Sequence, residues 1–519
     1  MTTHPDATWT YDRSHYPEPL TPMTASLWFE AMGLGIQAAC RELRAPFGGF
    51  RTTTFDHWAY ESEVAPDWTP DPPAFRAACL DIAARWQDEL LPQIEHGTLE
   101  LRSLRPARPD GPHAVAMLDR LVAIVHDQWR IHFIAVLGVH VAREVLAERY
   151  HDLLGGDPLE PYRLLEGLAN TTLDADDEVA ELAGCARRLD VADVILELPA
   201  GAALAELRLL HDGREFLAAL AGHLARFGAR SRYHELAEPR YVERPEFVIE
   251  SVRLLLERPR AARAERERRT GERDRLEAGV LARIAPAARA DFASLLRLVK
   301  AAAPLEEGHT LHIDQRGLQA VREALVGFGS RLVAQGRLDQ AVDVFLLDRH
   351  ELRGALARDH GRGLQALARR RGRELDVAAT HSPALVVGPP PADTEVDPLF
   401  LKFYGTPGTE RGDAAHLIGH GASPGRATGT ARVVRHADDL ARVGPGDVLV
   451  CTTTTPAWTP VFPSLAGIVT DTGGILCHAA VIAREYELPA VVGTETATAR
   501  IGDGARVTLD GATGDVWIG

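Results

Sequence analysis

Residues 470–485 read Thr-Asp-Thr-Gly-Gly-Ile-Leu-Cys-His-Ala-Ala-Val-Ile-Ala-Arg-Glu. The β-prone run Gly467-Ile468-Val469-Thr470 leads into a paired-glycine turn, and a helix-prone run from Ala479 to Glu487 follows. His478 therefore stands at the mouth of a short helix. An imidazole nitrogen is nucleophilic near neutral pH because its free pKa is about 6.5. A phosphoryl group on that nitrogen needs backbone N–H donors, and a glycine turn opening a helix supplies them. The pattern suits a histidine that carries a phosphoryl group. Gly473 and Gly474 permit the tight turn and close approach of the backbone to phosphate oxygens. The Thr472 hydroxyl is placed either to fix the imidazole tautomer or to finish the strand. Arg484 falls roughly 240° round the helix from His478, which favours an ion pair or a docking contact over direct chemistry. Cys477, beside the nucleophile, reads as a small packed side chain, with redox control as the other reading.

Further motifs occur in order around this stretch. Gly421-Ala422-Ser423-Pro424-Gly425 and Gly429-Thr430-Ala431-Arg432-Val433 come first, then Asp447-Val448-Leu449-Val450 and Thr455-Pro456-Ala457-Trp458-Thr459-Pro460. Leu488-Pro489-Ala490-Val491-Val492-Gly493 and Val507-Thr508-Leu509-Asp510-Gly511 follow His478. Together, across residues 417–519, they resemble the phosphohistidine (swivelling, or mobile) domain of the phosphoenolpyruvate-utilising enzymes. The resemblance implies that His478 is the nucleophile and carrier. A covalent intermediate divides one phosphoryl transfer into two in-line steps.

The region before it changes character. Residues 1–22 look extended, with Pro5, Pro17, Pro19 and Pro22, and the pattern from Ala25 to about Arg370 is mostly helical. The apolar runs Leu121–Val125 and Phe133–Leu137 fit one long buried helix, and Ala202–Phe227 has helical spacing. Gly155-Gly156-Asp157-Pro158 is a turn signal. The Arg/Glu run Arg258–Glu277 reads as a solvated helix laced with ion pairs, with an anion-binding strip as the other reading. Pro383, Pro389, Pro390, Pro391 and Pro398 mark an interdomain linker. The expected architecture is a multidomain α plus α/β chain. Residues 1–382 form a large, mostly helical acceptor-binding region, 383–416 a Pro-rich linker, and 417–519 a C-terminal swivelling β/β/α phosphohistidine domain.

The helical region also resembles the substrate-binding part of rifampicin phosphotransferase-type proteins. The residues that carry this are Asp12-Arg13-Ser14-His15-Tyr16-Pro17, Phe227-Gly228-Ala229-Arg230, Glu307-Gly308-His309 and Asp343–Leu347. An acceptor hydroxyl must lose its proton, so Glu307 and His309 are candidates for the acceptor site as base and orienter. ATP-using members of the family carry an ATP-grasp domain with a Gly-rich phosphate loop, and no such loop is legible here. The span after His478 is also short for a phosphoenolpyruvate-binding barrel. The resemblance then implies a split phosphotransferase. A separate ATP-grasp protein, holding ATP and Mg²⁺, charges His478, and the acceptor is a small organic hydroxyl. Two other readings stand beside it: a phosphoenolpyruvate-dependent carrier with the barrel in trans, and a binding module regulated by phosphorylation of His478.

Composition narrows the class. The 519 residues suffice for two or three domains, and 45% hydrophobic with 25% charged residues suits a globular fold. A net charge of −16 argues against a general nucleic-acid partner. Five widely spaced cysteines with no CxxC pair point to no metal site and to a reducing cytoplasm. No apolar run approaches the length of a membrane span, and no tightly bound cofactor is expected.

Overall fold

The computed structural model describes residues 7–104, 111–257, 262–357, 363–389, 412–413 and 415–519. The chain forms two compact units, one drawn from residues 1–145, 233–239 and 301–394, the other from 146–232, 240–300 and 395–519. The helical stretch before the C-terminal domain is thus divided, and its middle part folds with that domain.

The first unit is helical around a small sheet. Strands β1 (Trp9–Tyr11), β2 (Phe50–Phe55), β3 (Trp58–Glu63) and β4 (Val386–Val387) pair in the order β2-β3-β1-β4. The β2–β3 hairpin lies inside the stretch expected to be helical. Its two turn residues, Asp56 (φ 47°) and His57 (φ 69°), both adopt the left-handed conformation that a two-residue hairpin demands. Asp-His carries no glycine, so the turn leaves no usual mark in the sequence. Strand β4 lies at the start of the Pro-rich stretch. The greater part of that expected linker, 390–411, is outside the described residues. The runs Leu121–Val125 and Phe133–Leu137 do lie on one helix, Gly111–Leu154, and Leu121, Val125, Ile134 and Leu137 are buried.

In the second unit, helices Thr171–Arg188 and Glu246–Glu257 show why the pattern folds as it does. Val179, Leu182, Ala183 and Ala186 on one, and Val248, Ile249, Val252 and Leu255 on the other, repeat at three- and four-residue steps and are buried in one core. Asn170 caps the first, accepting from the amides of Thr172 (2.9 Å) and Leu173 (3.1 Å). The stretch 202–227 is two helices, Ala200–Leu207 and His211–Phe227. A Cβ on Gly213 would stand 2.2 Å from the Leu207 carbonyl oxygen, so the glycine permits the close crossing at this break.

The C-terminal part is β-rich, as expected. Its strands are β5 (Gly412–Asp413), β6 (His416–Ile418), β7 (His420–Ser423), β8 (Arg426–Val434), β9 (Val448–Cys451), β10 (Gly467–Thr470), β11 (Ala490–Val492), β12 (Arg506–Asp510) and β13 (Asp515–Ile518). They form one sheet in the order β5-β6-β13-β12-β8-β9-β10-β11-β7. The centre, β8-β9-β10-β11, is parallel, and its flanks are antiparallel. Every residue of β9 and β10 is buried, the continuous apolar run of a sheet covered on both faces. That buried strand gives the loop after Thr470 a fixed base.

Candidate functional site

His478 is the first residue of the helix His478–Glu485, with Cys477 as its N-cap. The loop from β10 is held by its own backbone. The Thr472 amide donates to the Thr452 carbonyl (3.0 Å), and the Cys477 amide donates to the Gly474 carbonyl (3.1 Å). Gly473 has φ 98°, a conformation that favours glycine, and a Cβ there would meet Cys477 Sγ at 2.7 Å. The first intrahelical bond runs from the Val481 amide to the Cys477 carbonyl (3.0 Å), so the amides of Ala479 and Ala480 lie in the open first turn. The His478 side chain is partly buried, and its Nε2 atom is itself buried. An imidazole on a helix N-terminus can accept and release a phosphoryl group once a ring nitrogen is reached.

The neighbouring candidates do different jobs. Thr472 spends its hydroxyl proton on the Thr452 carbonyl (2.9 Å), joining the loop to the end of β9. Arg484 is buried and donates Nη1 to the carbonyls of Ala422 (2.8 Å) and Ile475 (2.9 Å), tying the loop and the helix to β7.

Within the second unit the His478 helix rests on the helical part. Leu476 and Ile475 pack with Ala147, Leu159 and Tyr162. The Glu485 carboxylate accepts from the Gly167 amide (3.0 Å) and faces Arg269 (3.4 Å). Asp176 accepts from Thr459 (3.0 Å) through one oxygen and from Tyr486 (2.9 Å) through the other. The Arg/Glu helix is more than a solvated face. Arg266 pairs with Asp174 (2.7 Å) and Asp177 (2.6 Å), while Arg268 reaches Glu487 (2.6 Å) and the buried Arg269 reaches Glu485. Burial, then the nearby Glu485, pushes the Glu166 carboxyl up to about 7.

The first unit gathers a second group of ionisable side chains. Glu307 and His309 are both buried at the end of the helix Leu305–His309. The structure sets His309 against His132, with ring centroids 4.6 Å apart, and brings Asp314 to the same place. Burial holds the His309 pKa down to about 4, with His132 adding to the effect, so the ring is neutral near pH 7. Burial alone would raise Asp314, but His132, His309 and His234 outweigh it and hold its carboxyl near 2. Close in electrostatic reach of Asp314 is His15, whose Nδ1 hydrogen-bonds Asp12 Oδ1 (3.0 Å). Asp12 is buried and also accepts from the His15 amide (3.1 Å), so it orients the ring. A ring whose Nδ1 is anchored on a carboxylate presents Nε2 as base or acid. His15, Asp12, His132 and Asp314 were not singled out from the sequence as site residues. The aspartate–histidine pair at three-residue spacing was a visible signal; the meeting of His132 with Asp314 was not.

Two stretches of the chain match known families, and the one nearer the N-terminus runs across both units. Residues 443–514 match the mobile domain of phosphoenolpyruvate-utilising enzymes, and residues 132–307 match the fourth domain of rifampicin phosphotransferase. A Chondromyces crocatus protein named chondramide synthase cmdD is 31% identical over 98% of this chain and 14% of its own length. The Bacillus subtilis (strain 168) protein named uncharacterized phosphotransferase YvkC is 30% identical over 78% of this chain and 49% of its own. A rifampicin phosphotransferase of Streptomyces sviceus is 33% identical over 70% of this chain and 42% of its own. The chain thus spans about half, or less, of the length of these relatives. The match to the mobile domain thus lies behind a helical stretch, 132–307, that is similar to the rifampicin phosphotransferase fourth domain. Among the described residues, no helix is long and apolar enough to cross a membrane.

Proposed function

We propose that this chain is the carrier and acceptor-binding part of a dikinase-like phosphotransferase. A site of the ATP-grasp type, with ATP and Mg²⁺, charges His478. The phosphohistidine then passes its group to the hydroxyl of a small organic acceptor held by the helical region. The observation that carries the reading is the half-buried His478 imidazole at the open first turn of its helix, inside a mobile-domain sequence.

The steps balance. In the first, an imidazole nitrogen of His478 attacks the donor phosphorus; the N–P bond forms as the bond to the nucleotide's bridging oxygen breaks. In the second, the acceptor oxygen attacks phosphorus, the N–P bond breaks, and its electron pair returns to the imidazole. The acceptor proton goes to a base. We assign that base to His15, because its Nδ1 is anchored on the Asp12 carboxylate, whose charge stabilises the imidazolium formed when the ring takes a proton, whereas Nδ1 of His309 meets only the neutral Leu305 carbonyl (2.8 Å). Glu307 and His309 stay in this reading as part of the acceptor end. Donor and acceptor cannot both touch one imidazole, so the mobile domain swings between them. Its contacts within the second unit join the apolar packing of Leu476 on Leu159 and Tyr162 to hydrogen bonds and ion pairs around Asp176, Glu485 and Glu487, and the polar ones reform in water.

The test combines the full chain, a candidate ATP-grasp partner, labelled ATP and Mg²⁺, followed by a panel of alcohols and phenols. An acid-labile label on His478 that moves to an acceptor is the expected result. A stable phosphohistidine that no acceptor discharges would favour the regulated binding module. Labelling from phosphoenolpyruvate but not from ATP would replace the donor.

A further inference from the structure

His132, His309 and Asp314 each bring one donor atom within 4.8 Å of the other two. We propose that these three side chains bind one divalent first-row transition ion, of the zinc, manganese or cobalt class, through two imidazole nitrogens and a carboxylate oxygen. The sequence pointed to no metal ligands, since His132 lies far from the other two along the chain.

Helix geometry is the first support. On an α-helix, positions five apart stand roughly 140° from each other. His309 and Asp314 are five apart, yet they meet. The chain over Thr310–Gly317 is wound as a π-helix, whose i→i+5 bonding brings such positions round to one face. Wide turns of this kind are uncommon and concentrate at functional sites.

The hydrogen bonds give the second support. Nδ1 of His309 donates to the Leu305 carbonyl at 2.8 Å, which fixes the tautomer and leaves the lone pair on Nε2. A metal-bound imidazole is held by just such an outer contact. Nδ1 of His132 and Oδ1 of Asp314 are 3.2 Å apart, yet both are buried and neither has a properly directed hydrogen bond. Two ligand atoms on one ion at bond lengths of about 2.0–2.2 Å stand about 3.3 Å apart. A shared cation accounts for the spacing and for the missing direction together.

The donor set selects the ion. Two imidazoles and a carboxylate suit first-row transition metals better than calcium or magnesium, which prefer oxygen cages. Three protein ligands also leave a coordination position for an oxygen ligand. That this ligand is the acceptor hydroxyl rests on the phosphotransfer reading; the ion itself does not.

The experiment uses the full chain, stripped with a chelator and titrated with cobalt(II) while its visible d–d absorption is followed. Bound cobalt is then counted after gel filtration. The expected result is about one retained cobalt with intense visible bands, displaced by zinc. His309→Ala and Asp314→Asn should each abolish the bands and weaken binding at least ~100-fold. His96→Ala, on the surface, should change neither. Absence of the bands in the wild-type chain overturns the site, as do bands that persist in both variants. His132→Gln, close in shape, replaces either variant that fails to fold. Phosphorylation of His478 is read in the same samples. Normal labelling without cobalt binding rejects the ion and leaves the carrier, and the reverse pattern does the opposite.

Discussion

His478 is positioned by residues close to it in the chain: Gly473, Gly474, Cys477 and the end of β10 all lie within one strand–turn–helix. His309 is surrounded differently. His132 comes from the helix Gly111–Leu154, and Asp314 reaches it only because the backbone departs from α-helical winding. The first site is a local motif that backbone geometry nearly determines. The second depends on three-dimensional packing, so its pieces carry no shared signature. The lesson concerns what each site tolerates. A local motif loses function when its one reactive atom goes, whereas an assembled cluster responds to whatever moves its supporting helices.

The largest effect is expected from His478→Ala. Formation of the phosphohistidine and transfer to acceptor should fall to background, a loss on the order of 10⁴-fold or more. Thermal stability should fall little, because the side chain is only partly buried at a helix terminus. Residual transfer near wild type in a label-transfer assay would move the carrier elsewhere.

Next comes His15→Gln, which addresses the first unit alone. The acceptor step should slow by about 10²–10⁴-fold, while charging of His478 keeps its rate. Single-turnover mixing of pre-charged chain with acceptor separates the two steps. Equal losses in both would assign His15 to folding, not to acceptor chemistry.

A smaller effect tests how firmly the local motif is anchored. Arg484→Met strands the buried carbonyl of Ala422 and the partly buried carbonyl of Ile475. Each orphaned group costs about 1–3 kcal/mol, so unfolding stability should drop by on the order of 3 kcal/mol, read from the urea midpoint. An unchanged midpoint would mean that the arginine serves the site without holding it.

The mildest effect is on pH. The Glu166 carboxyl is raised from 4.5 to about 7 in the folded chain. A raised acid binds its proton more tightly when folded, so its contribution is most favourable below 4.5, declines as pH climbs, and is lost above about 7. The loss across that window is up to about 3 kcal/mol. Stability of the second unit, followed by urea titration at several pH values, should therefore fall with rising pH in wild type. Glu166→Gln should flatten the slope.

The C-terminal domain was legible because its motifs are contiguous and its candidate site lies in one turn. Glycine at 473 is dictated by a positive φ, and strands β9 and β10 announce themselves as unbroken apolar runs. The long apolar helix was legible for the same reason of periodicity. The β2–β3 hairpin was not, since Asp56 and His57 take left-handed conformations without glycine. Nor was the break before His211, which depends on the close crossing of Gly213 and Leu207. The Arg/Glu helix was read correctly as ion-paired, but composition could not show that Arg269 lies buried against Glu485.

The sequence alone pointed to the candidate carrier, an imidazole between a glycine turn and a helix, because backbone geometry and imidazole chemistry are both local properties. Tertiary structure alone decided that the middle helices fold with the C-terminal sheet. It also decided that His132, His309 and Asp314 converge, and that His15 stands near them with Asp12 behind it. Burial and long-range packing create those neighbourhoods. No spacing along the chain encodes the angle at which two helices cross or the turn at which one of them widens.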